Sequence, residues 1–145
     1  MRVYLAIKYH EDHSNQDRIA AISSALVRNV CETFCVARDL EQWGVVHFSP
    51  EVLMQKSFDA IDASDVVVVD LTEKGVGVGI EAGYAFAKQI PIITIARADS
   101  DISDTLRGIS RAVFLYATFD ELAGFLVRRF KLADAVVDPL NEEPA

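Results

Sequence analysis

Four consecutive valines, Val66 to Val69, lie between Asp65 and Asp70 and constrain the fold more than any other segment. A short, uninterrupted run of β-branched residues is typical of a strand buried on both faces, as in parallel sheets covered by helices on either side. The chain has 145 residues, of which 51% are hydrophobic, and this is enough to build one domain with an ordinary core. The run therefore predicts a single α/β domain.

The rest of the chain alternates between apolar patterns typical of strands and apolar patterns typical of helices. Strands are predicted at residues 3–7, 33–37, 65–70, 91–96 and 112–116, and helices at 51–63, 80–89 and 120–132. A first helix is indicated by apolar residues at helical spacing: Ile19, Ile22, Leu26 and Val30. This order predicts a flavodoxin-like three-layer sandwich with a five-stranded parallel sheet. We expect residues 1–133 to form the domain and the acidic residues 134–145 to be a frayed tail.

Charge and composition limit the classes of molecule that the chain can bind. The net charge of −8 argues against binding a nucleic acid polymer or an anionic membrane, whose phosphates would repel the surface. No apolar run approaches the roughly 20 residues of a membrane span. Cys31 and Cys35 are the only cysteines, and their apolar neighbours predict buried, reduced thiols and a cytoplasmic protein. A small-molecule ligand is the remaining expectation.

In a parallel sheet, ligands bind beyond the carboxyl ends of the strands, at the point where the strand order reverses. The loops after strands one, three and four should meet there, and they hold residues 8–13, 72–81 and 97–107. The second of these contains Gly75, Gly77 and Gly79, which we interpret as a loop whose amides form an anion-binding nest before a helix. A dinucleotide-binding motif is excluded, because Gly83 comes one residue too late and the loop follows the third strand.

Glu81 follows this glycine segment directly. One interpretation is a first-turn acid that stabilises the helix dipole. The other is a carboxylate held in a narrow, partly apolar cleft, because its neighbours are Ile80, Ala82 and Gly83. Such a carboxylate can attack a sugar carbon as a nucleophile.

Three segments carry a resemblance to a known family. Asp65-Val-Val-Val-Val-Asp, Gly77-Val-Gly-Ile-Glu-Ala-Gly-Tyr-Ala and Pro91-Ile-Ile resemble the nucleoside 2-deoxyribosyltransferase superfamily, and within it the 2′-deoxynucleoside 5′-monophosphate N-hydrolases. The resemblance extends from the first strand to the last helix. It implies cleavage or transfer of an N-glycosidic bond in a nucleoside or nucleotide, without a metal or an organic cofactor, by a homodimer or higher homo-oligomer.

The resemblance also implies roles for individual residues. Glu81 matches the nucleophile that attacks C1′, and Tyr4 matches an active-site tyrosine. Ser103 resembles a serine that contacts the substrate phosphate across a dimer interface. Arg107, four residues later, is our own addition to that phosphate site, together with Lys8 after the first strand.

The chain departs from the family at the position of an aspartate on the helix before strand three, where it has Ser57. A serine cannot act as a carboxylic acid, so we expect Asp39 or Glu41, from the loop after strand two, to replace it near the Glu81 cleft. Trp43 in the same loop either stacks on a base or packs on the core. His10 and His13 are either proton donors in the cleft or exposed polar residues. The alternative function is a catalytically degenerate nucleotide-binding or regulatory module.

Overall fold

The computed structural model describes residues 1–28 and 32–136. Five strands form one parallel sheet in the order β2-β1-β3-β4-β5, which confirms the predicted fold class. The strands are β1 (Arg2–Ala6), β2 (Glu32–Phe34), β3 (Val66–Asp70), β4 (Ile92–Arg97) and β5 (Ala112–Tyr116). The helices are α1 (Gln16–Val27), α2 (Pro50–Asp62), α3 (Val76–Ala87), α4 (Asp104–Ile109) and α5 (Phe119–Val136), and a π-helical turn spans Val36–Leu40.

The central strand β3 is buried on both faces, as its valines predicted. Val66 and Val68 belong to an apolar cluster shared with α1 and α5. Val67 and Val69 belong to a second cluster shared with α2, α3 and α4. The helices thus cover the sheet on two sides, and the strand order reverses between β1 and β3.

Several boundaries differ from the sequence-based expectation. Helix α3 begins at Val76 rather than near residue 80, so the glycine segment is its first turn and not a loop. Helix α4 was not predicted, because its six residues are too few to show a periodicity. Strand β2 has only three residues, and the π-helical turn occupies positions expected to be strand and loop.

The expectations for the C-terminal tail and for the two cysteines fall partly outside the described residues. Helix α5 continues to Val136, three residues into the expected tail, and residues 137–145 lie outside the described residues. Cys35 is a buried free thiol, whereas Cys31 lies outside the described residues. No helix in the described part of the chain is both long enough and apolar enough to span a membrane.

The end of α3 is closed by a left-handed residue. The Gln89 amide donates to Phe86 O at 3.0 Å and the Ile90 amide to Ala85 O at 2.9 Å, the two hydrogen bonds of a Schellman motif. Gln89 has φ 61°, a conformation in which glycine is the favoured residue. The motif fixes the length of the helix that carries Glu81.

Replacing Gln89 with glycine should therefore stabilise the fold. We expect Gln89→Gly to raise the free energy of unfolding by about 0.5–1 kcal/mol, since removing the left-handed strain outweighs the added freedom of the unfolded chain. Gln55→Gly, in the exposed middle of α2, is the matched control and should lower it by about 1 kcal/mol. Thermal unfolding measures both, and a lower melting temperature for Gln89→Gly would contradict the assignment.

Candidate active site

A cavity of about 280 Å³ lies beside Glu81 at the carboxyl edge of the sheet. It opens between the loop after β1 and the first turns of α3, the place where the strand order reverses. Its walls are formed by Ile7, Lys8, Tyr9, Gly75, Val76, Gly77, Val78 and Glu81. The cavity is close to the lower end of the volumes that hold small ligands.

Polar contacts fix the two loops that border this cavity. Asp70, the last residue of β3, is buried and accepts hydrogen bonds from the Tyr116 hydroxyl at 3.1 Å and from the Thr72 amide at 2.8 Å. His10 Nε2 contacts the Glu73 carboxylate, which joins the loop after β1 to the loop after β3. The start of α3 therefore has a defined position relative to β1.

Glu81 lies on the second turn of α3, and the residue as a whole is half-buried. Its carboxyl is nevertheless shielded from water, and this burial raises its pKa to about 8, with a smaller opposite effect from the Tyr4 hydroxyl. A raised pKa in a cavity, caused by desolvation and a specific partner, is typical of a functional carboxylate. The interpretation of Glu81 as an exposed dipole acid does not account for this burial.

Tyr4 lies in the middle of β1 and is fully buried, with its ring stacked on Phe34 at 5.7 Å between centroids. Its hydroxyl makes no hydrogen bond to any described residue, although Glu81 and Ser57 are close enough to shift its pKa. Burial raises that pKa, and the charge of Glu81 raises it further. A buried hydroxyl without a partner is rare, and here it is a donor available beside the carboxylate.

Ser57 completes this group from α2. It is buried, and its hydroxyl donates to Leu53 O at 2.8 Å, a hydrogen bond within its own helix. Its proximity to the Tyr4 hydroxyl lowers the pKa of that tyrosine. Ser57 therefore lies beside Tyr4 and presents a hydroxyl rather than a carboxylic acid.

The anion-binding nest predicted for the glycines is wrong. Gly77 and Gly79 are helical, none of the three has positive φ, and the Gly79 amide donates to Gly75 O at 3.3 Å. Gly75 and Gly77 do line the cavity, whereas Gly79 does not. What the segment offers instead is the amino end of α3, where free amides and the helix dipole favour an anion.

Lys8 is the cation of the cavity. Its side chain lies against Gly75, so that a methyl group at Gly75 would be 3.6 Å from Lys8 Cδ. The residue is exposed, and its aliphatic part packs along the start of α3. Lys8 and the amino end of α3 together form the positive side of the cavity.

Neither carboxylate from the loop after β2 lines the cavity. Asp39 accepts hydrogen bonds from the Cys35 amide at 2.8 Å and from Arg38, so it holds the π-helical turn. Glu41 is half-buried and close enough to raise the pKa of Tyr9, which is a wall of the cavity. Burial raises the pKa of Glu41 itself. Of the two, only Glu41 acts on the pKa of a wall residue, where its effect is smaller than those of burial and of Asp12.

Ser103 and Arg107 are on α4 and do not line the cavity. Ser103 stands before the first residue of α4, where its hydroxyl is within 2.5 Å of the Thr105 hydroxyl, and Arg107 is exposed. A phosphate role for either residue at this cavity requires a second copy of the chain. That role and the homodimer remain predictions.

Neither histidine of the β1 loop lines the cavity, and both are engaged by neighbouring side chains. His10 bonds to Ser14 at 3.0 Å as well as to Glu73, and His13 contacts the Tyr9 hydroxyl. No cluster of three or more His, Cys, Asp or Glu side chains among the described residues is placed to hold a metal ion.

Tyr9 is the wall residue that the sequence did not single out. The available signal was its place at the carboxyl end of the first strand, beside the reversal of strand order. A larger cavity, of about 600 Å³, lies at the opposite edge of the sheet, but no carboxylate or histidine is among its walls. They are Phe86, Ala87, Gln89, Ile90, Pro91, Ile92, Ile109 and Arg111. The chemistry therefore favours the smaller cavity.

Solved structures with the same fold include enzymes of nucleoside chemistry. A CMP N-glycosidase, BcmB, from Clostridium botulinum is 21% identical, with 91% of this chain and 99% of that chain covered and a TM-score of 0.61. A 2-deoxyribosyltransferase from Bacillus psychrosaccharolyticus is 15% identical, with 85% and 90% covered and a TM-score of 0.68. BlsM is 19% identical, with 98% and 97% covered and a TM-score of 0.69.

The chain shares the fold of these structures. This confirms the fold that the resemblance implied. No family model matches the sequence, and no curated protein matches it either. At these identities the likeness extends to the fold alone, and the assignment of chemistry depends on the cavity.

The buried Glu81 carboxyl should make stability depend on pH. Its pKa is raised from 4.5 to about 8, so the folded chain binds this proton more tightly than the unfolded chain. The stabilisation is complete below pH 4.5 and is lost as the pH rises through about 8. Glu81→Gln removes the titration, so its melting temperature relative to the parent should increase across that range.

Glu51→Gln is the control, because it removes one negative charge from an exposed position on α2. A melting-temperature difference between Glu81→Gln and the parent that is constant from pH 5 to 9 would contradict the buried state of Glu81.

Proposed function

We propose that the chain cleaves the N-glycosidic bond of a nucleoside or its 5′-monophosphate, or transfers the sugar to a second base, with Glu81 as the nucleophile. The observation that carries the proposal is the shielded Glu81 carboxyl, with its pKa near 8, beside the unpartnered Tyr4 hydroxyl in a cavity at the reversal of strand order. The fold shared with an N-glycosidase and a deoxyribosyltransferase supports it.

The reaction has two displacements at C1′. The ionised Glu81 carboxylate forms a bond to C1′ while the C1′–N bond breaks, and the base leaves with the electron pair and takes up a proton. Water, or the nitrogen of a second base, then attacks C1′, loses a proton and releases the carboxylate. Deoxyribose suits this route, because an electron-withdrawing 2′-hydroxyl disfavours an oxocarbenium-like transition state.

Two neighbouring groups assist in this scheme. The Tyr4 hydroxyl, which lies beside the carboxylate, orients it through a hydrogen bond when Glu81 is ionised. Glu41 is the candidate acid for the departing base, since burial favours its protonated form and it lies beside the wall residue Tyr9. Asp39 is less suited, because its carboxylate is already paired with Arg38.

A second function is favoured by one specific observation. Ser57 stands where the resemblance implies an aspartate, and the raised pKa of Glu81 favours its protonated form at neutral pH. A module that binds nucleotides without cleaving them is consistent with both facts. Release of free base distinguishes the two functions.

The nucleophile is tested with deoxynucleosides and their monophosphates, using chromatography for the free base. We expect the parent to release base with a kcat/KM that falls at low pH, because only the ionised carboxylate attacks. Glu81→Gln should lose several orders of magnitude in rate, while Glu51→Gln should retain it. Near-normal base release by Glu81→Gln would exclude the mechanism, and tight binding by the parent without base release would favour the binding module.

Replacing Lys8, the cation of the cavity, tests whether the cavity binds the phosphate of a nucleotide. Lys8→Gln should weaken the binding of a monophosphate by about tenfold while leaving the nucleoside affected little, as expected for a charge-assisted contact. Lys88→Gln, at the opposite end of α3, is the control. Arg107→Gln should show the same selective loss only if light scattering finds a dimer, in which a second copy brings α4 to the cavity. Equal losses for both ligands with Lys8→Gln would rule out a phosphate contact.

A further inference from the structure

A third cavity, of about 500 Å³, lies between α1, β2 and the segment that follows the π-helical turn. It shares no wall residue with the Glu81 cavity, and its volume is within the range of small-ligand sites. Val27, on the α1 side, is 54% exposed, so this side presents uncovered apolar surface. We call this site the α1 cavity. Its α1 side is one face of the helix and carries Ala20, Ser23, Ser24, Val27 and Arg28.

Trp43 forms part of the opposite side of the α1 cavity, and its backbone is strained. Gln42, Trp43 and Gly44 have φ values of 47°, 59° and 89°, so two residues with side chains adopt the left-handed conformation in succession. Such conformations persist where the surroundings over-determine them, and they are found preferentially at functional sites and ligand clamps. Here the Trp43 amide donates to Ala37 O at 2.7 Å, which ties the segment to the π-helical turn.

The Trp43 ring borders the α1 cavity and not the Glu81 cavity. It packs on the core beside Tyr9, with 5.6 Å between the two ring centroids. Because the core and the backbone both hold this ring, it loses little freedom when a ligand packs on it. The α1 cavity therefore has a preorganised aromatic wall.

Arg38 is the second fixed wall of the α1 cavity. Its Nη1 donates to Ser23 Oγ at 2.9 Å, and its Nη2 donates to Thr33 O at 2.9 Å. Its Nε and Nη2 both donate to the Asp39 carboxylate, and this ion pair offsets the charge of the guanidinium. Arg38 therefore contributes a rigid planar surface but little net charge.

Arg28 supplies the uncompensated charge of the α1 cavity. It is exposed at the C-cap of α1, and it forms no ion pair with an acidic side chain among the described residues. On a chain with a net charge of −8, this places one unpaired cation in a cavity that has an aromatic wall. A cation at the end of a helix also compensates the helix dipole, so experiment must separate the two roles.

We propose that the α1 cavity is a second ligand site, which binds a small aromatic monoanion with its ring on Trp43 and its carboxylate on Arg28. Ala20, Val27 and the indole offer apolar surface to a ring. One unpaired cation matches one carboxylate, whereas a phosphate dianion would leave a second negative charge without a partner. The inference goes beyond the proposed function, because the α1 cavity is separate from the Glu81 cavity.

The test is calorimetric titration of the full chain with naphthoate, with its neutral amide and with acetate. Naphthoate should bind, and the amide should bind about two- to fivefold more weakly, because it lacks the one exposed ion pair. Acetate has the charge but no ring and should show no saturable binding. Trp43 is the only tryptophan of the chain, so its indole N–H resonance should shift when naphthoate binds.

Two substitutions test whether naphthoate binds in the α1 cavity. Ser24→Phe fills the cavity from an exposed position and should abolish binding, while Gln55→Phe, exposed on α2, should not change it. Arg28→Gln should weaken naphthoate about two- to fivefold and leave the amide unchanged. Arg128→Gln, exposed on α5, is the control for charge and should affect neither probe. A role of Arg28 at the helix end alone would not distinguish the two probes.

Three results would overturn the proposal. The first is the absence of saturable naphthoate binding at millimolar concentration. The second is binding that survives Ser24→Phe or that Lys8→Gln weakens as much as Arg28→Gln does, since naphthoate would then bind outside the α1 cavity. The third is equal affinity for naphthoate and its amide, which would leave Arg28 only its place at the helix end. None of these measurements depends on base release, so this proposal and the proposed function can fail separately.

Discussion

The burial of β3 on both faces is the constraint on which the rest of the structure depends. Because Val66 and Val68 pack against one helical layer while Val67 and Val69 pack against the other, the sheet needs helices on both sides. In a chain with this strand order, that requirement places the first crossover on one face and the next three on the other. The loops after β1 and β3 must then separate, and the cavity beside Glu81 is the space between them.

The chemistry of the cavity follows from how Glu81 is shielded. Its carboxyl is buried without a cation in contact, so desolvation dominates and the proton is held more tightly. The Tyr4 hydroxyl is close enough to act on this carboxyl, and as a hydrogen-bond donor it favours the ionised form. The site therefore contains one group that must lose a proton to react and one donor that stabilises the product of that loss. This combination distinguishes the cavity from the larger one at the opposite edge, which has no carboxylate.

The sequence predicted the features that depend on local pattern. The valine run determined the fold class, and the motif around Glu81 located the carboxylate, because burial and strand order follow from the residues themselves. The start of α3 was misplaced, since glycines at Gly77 and Gly79 favour a loop in isolation, and packing of the helix on the sheet outweighs that preference. A short helix such as α4 has too few residues to show a helical periodicity in the sequence.

The Tyr9–Trp43 contact could not be predicted from the sequence, for a different reason. The two residues are 34 positions apart, and they meet only because Gln42 and Trp43 adopt left-handed backbone conformations that neither residue type favours. Likewise, Asp39 belongs by residue type to the candidates for an acid, and only the π-helical turn shows that its carboxylate is engaged with Arg38 and the Cys35 amide. Non-local contacts of this kind decide roles that composition leaves open.

Electrostatics connects the two ends of the cavity. A 5′-phosphate brings negative charge near Glu81, and by itself this would raise the pKa of the carboxyl further and oppose ionisation. The described groups that counter it at the cavity are Lys8 and the amino end of α3, both on the side of Gly75. Lys8 lies against Gly75, and no ion pair between it and Glu81 is present among the described residues, so its charge is available to a phosphate. The neutralised phosphate then adds little to the pKa of Glu81, so desolvation stays the main cause of its raised value.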